Sequence, residues 1–117
     1  MSTFIPVIWT GISGVRYEFQ VDPIGTGYKD RPGVYVFCRL GALGFWDAIY
    51  IGETESFERR LWADLVRHHQ WDSIRSAGAT HIGTLHAPGG LSARLAIEAD
   101  LRHSNPTPCN QQGRSVA

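Results

Sequence analysis

The sequence is short of cysteine, of lysine and of net charge, and each shortage excludes something. Two cysteines, Cys38 and Cys109, with no CxxC pair, do not make a disulfide framework. Five histidines lack the spacing of a structural zinc site, since no cysteine cluster joins them. Lys29 is the only lysine among eleven basic residues, and eleven acidic residues cancel them to a net charge of zero. A protein that grips nucleic acid over a broad face carries a basic surplus. Any nucleic-acid contact here therefore has to be local or assisted, and it falls to arginine, the better bidentate phosphate ligand. No apolar run approaches the roughly 18 residues of a membrane span. The start, MSTFIPVIWTG, has neither a basic leader nor a long apolar stretch, so the expected location is the cytoplasm.

What is present fits one folded domain. The chain has 117 residues, 43% of them hydrophobic, with four tryptophans, enough for a modest core and too apolar for disorder. No internal repeat, linker or low-complexity tract interrupts it. RYEFQVD (16–22) alternates as a strand does, and PIGTGYKDRPG (23–33) is a Gly- and Pro-rich loop. Its GTG lacks the GK[ST] ending of a phosphate-binding loop. GVYVFCRL (33–40) and DAIYIGET (47–54) predict two further strands joined through GALGF. Ser56 is placed to cap a helix through FERRLWADLVRHH. THIGTLHAP (80–88) predicts another strand, and GGLSARLAIEADLRHS (89–104) a helix ended by Pro106. The expected order is β-β-β-α-β-α, a small α/β fold with a mainly antiparallel sheet flanked by helices.

Successive strand residues face opposite sides. If Val34, Val36, Ile49 and Ile51 face a core, Tyr35 and Tyr50 face the other way. A hairpin centred on Ala42–Leu43 would set the two phenols directly opposite each other. Such a pair either sits under a helix or faces a ligand, and Gly52 beside it would permit close approach by one. On the first helix, periodicity predicts a buried stripe of Phe57, Leu61, Trp62 and Leu65, with Arg59 and Arg60 at its edges and Asp64 one turn from His68. On the second, Leu91, Leu95, Ile97 and Leu101 form the apolar face, and Glu98 lies within it. A carboxylate there must be paired, protonated or bound to a metal. Arg94 and Arg102 are both one turn away. Asn110, after the Pro-rich stop, suits a turn.

Together these residues resemble the GIY-YIG endonuclease family. The two tyrosine tripeptides read GVY (33–35) and YIG (50–52), ETESFERRL leads into a helix with Arg60 at the family arginine, Glu98 lies on a later helix, and Asn110 ends NPTPCN. The resemblance covers residues 32–110 and divides the single domain, 1–117, into an N-terminal strand and loop (1–31), a catalytic core (32–110) and a tail (111–117). It implies hydrolysis of DNA phosphodiesters with one divalent ion, Mg²⁺ or Mn²⁺, on Glu98. Arg60 would stabilise the phosphate, Tyr35 would act as base or water-orienter, Tyr50 as phosphate ligand, and Asn110 would orient substrate or tie the site together. Gly52, Thr54 and His68 are expected beside the substrate. The family commonly has a histidine one helical turn after its arginine. Here that position is Asp64, with His68 and His69 a turn later. Family enzymes also commonly carry a separate DNA-binding domain, and none is legible here. A homodimer or a separate DNA-targeting partner is therefore the expectation. The alternative is a non-catalytic nucleic-acid-binding or protein-interaction module on the same fold.

A phenol base faces an energetic hurdle. With a pKa near 10 it needs roughly 4 kcal/mol of help near neutral pH. One cation at about 4 Å supplies that order of energy at an effective dielectric of about 20. Burial works against it.

Overall fold

The computed structural model describes residues 4–112. Five strands, β1 (Ile5–Thr10), β2 (Arg16–Pro23), β3 (Gly33–Leu40), β4 (Trp46–Thr54) and β5 (His81–His86), form one sheet in the order β1-β2-β5-β3-β4. Every neighbouring pair is antiparallel. A π-helical turn (Arg59–Ala63), a 3₁₀ turn (Leu65–Arg67) and the helix α1 (Trp71–Ser76) follow β4. The helices α2 (Leu91–Ser104) and α3 (Pro108–Gln112) follow β5. The small α/β fold with an antiparallel sheet expected from the sequence is what the chain adopts, with three elements more than the expected order: β1, α1 and α3. The expected tail begins inside α3, and residues 113–117 lie outside those described. No described helix is long and apolar enough to cross a membrane.

The interior strand β3, between β5 and β4, is buried on both faces, and two cores form. Tyr35, Phe37, Ile49 and Tyr50 pack with Phe57, Leu61, Ile74 and Cys109 on one side of the sheet. Val34, Val36, Cys38 and Ile51 pack with Trp9, Phe19, Val21 and Leu101 on the other. The two tyrosines do face away from the valines, but into a second core, and Ile49, expected on the valine side, packs there with them.

The β3–β4 register differs from the expected one. The turn residues 41–45 pair Leu40 with Trp46, and this register would put Tyr35 opposite Ile51. A β-bulge between the Phe37 and Cys38 pairings absorbs one extra β4 residue, so that Tyr35 faces Gly52 and Phe37 faces Tyr50. Because side-chain facing has period two, a one-residue slip would send the phenols to opposite faces. The bulge undoes that slip. Tyr35 and Tyr50 are thus diagonal rather than directly opposed, with ring centroids 6.1 Å apart and planes at 27°.

Both helix expectations change in detail. The chain after Ser56 is not one α-helix: Asp64 N–H bonds the Arg59 carbonyl at 2.8 Å, a five-residue step that widens the turn. The wider turn shifts the phase of the 3.6 period. Phe57 and Leu61 are buried as expected, while Trp62 is 54% exposed. Ser56 does accept from the Arg59 N–H through its hydroxyl at 3.2 Å. On α2, Leu101 is fully buried and Ile97 half-buried, but Leu91 and Leu95 are exposed and Arg94 takes the buried place.

Asn110 holds the free edge of β4. Its Oδ1 accepts from Ile51 N–H at 2.7 Å and its Nδ2 donates to Ile51 C=O at 2.9 Å. Both side-chain groups are committed to the backbone, so Asn110 ties α3 to β4. Asn110→Ala is expected to leave that buried donor and acceptor unpaired and to cost about 1–3 kcal/mol. Urea unfolding checks it: a midpoint equal to the parent's contradicts the clip.

Candidate active site

A cleft of about 510 Å³ opens where the end of β4, the π-helical turn and the start of α2 meet. Arg59, Arg60, Arg67 and Arg94 line it together with Glu53, Glu55 and Asp64. Thr54, Arg60 and His68, three of the residues expected from the sequence, are among its walls. Tyr35, Tyr50 and Glu98 lie within electrostatic reach of the same arginine or of one another. Arg60 lowers the pKa of Tyr35, Tyr50 and His68, and Glu98 raises that of both phenols. Tyr35, Tyr50, Gly52, Glu98 and Asn110 are not among the walls of the cleft; Tyr35 is joined to it through His68.

The phenols keep their protons. Burial, followed by the neighbouring Tyr50, pushes Tyr35 well above the ordinary value of 10, and the Arg60 charge only partly opposes this. Tyr50 is raised by burial and then by Glu98, with Arg102, Arg60 and the Tyr35 hydroxyl acting the other way. The hurdle anticipated for a tyrosine base is thus larger, because desolvation outweighs the cation. Of the two roles expected for Tyr35, orienting a water fits a protonated phenol and removing its proton unaided does not.

His68 is where the chain leaves the 3₁₀ turn in an extended conformation, and this turns its ring inward. It is 4% exposed. Its Nδ1 accepts the Gln70 backbone N–H at 3.1 Å, so in the neutral ring the proton sits on Nε2. That Nε2–H donates to the Tyr35 hydroxyl oxygen at 2.7 Å. The Tyr35 O–H then donates away from His68, toward the neighbouring Tyr50 oxygen. Asp64, one turn before His68, is exposed and makes no pair with the imidazole, which is engaged with Tyr35.

Burial, then the neighbouring His69 and Arg60, lowers the His68 pKa from 6.5 to about 4. As pH falls the unfolded chain takes up this proton first. Stability attributable to the neutral ring is complete above about 6.5 and is lost between there and about 4. Allowing for solvent at the cleft, which the ring also lines, the loss is about 2 kcal/mol. Urea midpoints at pH 7 and pH 4.5 should show it, and His68→Gln should flatten the difference. A variant as pH-sensitive as the parent contradicts the assignment.

The space beside Gly52 is filled by the two phenols. A Cβ there would lie 2.5 Å from the Tyr35 hydroxyl and 2.9 Å from a Tyr50 ring carbon, so the bare backbone makes room for the phenols. Thr54 is likewise used internally. Its hydroxyl accepts from Ser56 N–H and donates to Ser56 C=O, both at 3.1 Å, closing the turn out of β4.

Glu98 is half-buried and lies 3.6 Å from Arg102, the one of its two candidate partners that it pairs with. Arg94 turns instead to Glu53, Nε to Oε1 at 2.8 Å, a pair in which the arginine is 5% exposed. Burial raises the Glu98 pKa; Arg102 opposes this, and Glu53 adds to it. The Arg102 pair thus offsets the burial of the Glu98 carboxylate only in part, at a site that retains some access to solvent. A divalent ion would offset the rest, and Mg²⁺ and Mn²⁺ characteristically take one or two carboxylates, with water and phosphate oxygens completing the shell. Among the described residues no group of three or more His, Cys, Asp or Glu side chains converges on one point.

Sequence pattern gives Glu53, Arg59, Arg67 and Arg94 no place at the cleft that they line. Glu53 and Arg94 are 41 residues apart, and no local pattern joins them. A charged residue at a position that periodicity assigns to the buried stripe of α2 was the one available signal, and at Arg94 it was read only as a partner for Glu98. Comparison with protein-family models, with curated proteins and with solved structures finds no match.

Proposed function

We propose that the protein is a small metal-dependent DNA endonuclease of GIY-YIG type. The observation that carries this reading is geometric: His68, a wall of the arginine-lined cleft, holds the Tyr35 hydroxyl at 2.7 Å, and the Tyr35 ring stacks on that of Tyr50. Glu98 is the residue that would hold one Mg²⁺ or Mn²⁺, whose chemistry is to neutralise charge on the phosphate and the leaving oxygen. Arg60 holds the non-bridging phosphate oxygens as their charge grows. Arg59 and Arg67 provide further phosphate donors on the cleft wall. Tyr35, held in place by His68, orients the attacking water. Tyr50 hydrogen-bonds the same water or the phosphate.

The zero net charge fits a local grip on DNA, aided by a second copy of the chain or a separate targeting partner. Incubating supercoiled plasmid with the protein and Mn²⁺ tests the reading, with excess chelator as the control. Chelator-sensitive nicking is expected. A thermal midpoint that ignores Mn²⁺, together with intact plasmid, favours the non-catalytic binding module instead.

A further inference from the structure

His68 cannot serve as a proton acceptor without giving up a bond. Its Nδ1 is taken by the Gln70 N–H and its Nε2–H is directed at Tyr35. The adjacent His69 is placed differently. Its ring stacks on that of His68, centroids 4.8 Å apart and planes at 11°, which restricts its rotation. It is exposed to solvent, and its Nε2 lies 3.4 Å from the hydroxyl of Tyr50, a phenol only 8% exposed. A protonated phenol is the donor in such a pair and the neutral imidazole nitrogen the acceptor.

We propose that His69 is the proton acceptor of the site, taking the Tyr50 proton through Nε2 while Tyr50 takes one from the attacking water. The proposal rests on the nuclease reading and adds a catalytic residue to it. In the step, the water oxygen bonds to phosphorus and the bond from phosphorus to the leaving oxygen breaks with its electron pair. The water proton passes to the Tyr50 oxygen as the Tyr50 proton passes to His69. The leaving oxygen takes a proton from solvent, and His69 returns its own there. No free phenolate is needed, because the phenol exchanges one proton for another.

Two measurements test this. In the first, His69→Ala is expected to slow plasmid nicking about 100-fold, the usual scale of a general base, with unchanged thermal stability. Added imidazole should restore a good part of the rate in His69→Ala and not in Glu98→Gln. Nicking at the parental rate, or a defect that imidazole does not relieve, overturns the proposal. The second needs no activity. ¹⁵N NMR of the imidazole nitrogens should show His69 Nε2 unprotonated in the neutral ring, with Tyr50→Phe shifting the ring toward the Nε2–H form. A ring already protonated at Nε2, or unaffected by Tyr50→Phe, overturns the pairing even if the protein proves not to be a nuclease. Absence of nicking by the parent, with the NMR as expected, removes the nuclease reading and leaves the hydrogen-bonded pair.

Discussion

Glu98→Gln and Arg60→Ala should each lower plasmid nicking by about 10²–10³-fold or more while the far-UV circular dichroism stays native. The magnitude is that of losing one preorganised group directed at developing charge. The two variants differ in what else they change. Glu98→Gln removes a half-buried charge whose pKa burial and Glu53 have already raised, and the Arg102 pair it gives up is a loose one at 3.6 Å. Little stability should be lost, and a Mn²⁺-dependent rise in thermal midpoint seen in the parent should vanish. If Glu98 were instead the anchor of a structural ion pair, the same substitution would cost about 3–5 kcal/mol. Calorimetry on one variant therefore separates the metal-ligand reading from the structural one. Arg60→Ala should keep the Mn²⁺ response and lose only the chemistry. Both variants cutting at the parental rate would refute the nuclease assignment.

The largest loss of stability is expected at Arg94→Ala. The arginine is buried beneath the cleft and bonded to Glu53 at 2.8 Å. Removing it leaves a carboxylate without its partner and a void where the guanidinium packed. Glu53 keeps some contact with solvent, its side chain being 22% exposed, so the expected cost is about 3 kcal/mol, the lower end for breaking such a pair. For a domain whose whole stability is about 5–15 kcal/mol, that is a large share. The double variant Arg94→Leu with Glu53→Leu should recover much of it, because apolar residues of similar volume often replace a buried pair at little cost. Urea unfolding of the two singles and the double measures the coupling. An Arg94→Ala midpoint within error of the parent's would contradict the pairing. Arg94 also lines the cleft, so nicking by the double variant shows separately whether its charge is needed for activity.

The strands show how far local pattern reaches. β3 and β4 are legible to within a residue because β-branched and aromatic side chains at alternating positions suit a sheet wherever it forms. β1 is not, since Pro6 interrupts its run and Ile5 and Ile8 face solvent at the sheet edge. The relation between Tyr35 and Tyr50 hinges on one bulged residue, and no propensity marks where an extra residue is absorbed. The helix after Ser56 carries a 3.6-residue pattern that predicts a buried Trp62. A π-helical turn moves that side chain outward and lets His68 swing in against Tyr35.

By itself, then, the sequence determined the sheet-forming segments, the α2 helix and its Pro106 stop, and the alternation that sets Tyr35 against Val34 and Val36, because these follow from forces acting between near neighbours in the chain. Only the tertiary structure decided that the phenols are stacked diagonally and held protonated, that Asn110 clips the β4 edge, that Arg94 belongs to Glu53 and that His68 is spent on Tyr35. Those outcomes depend on desolvation and on contacts across tens of residues, and neither has a signature in a local stretch of sequence.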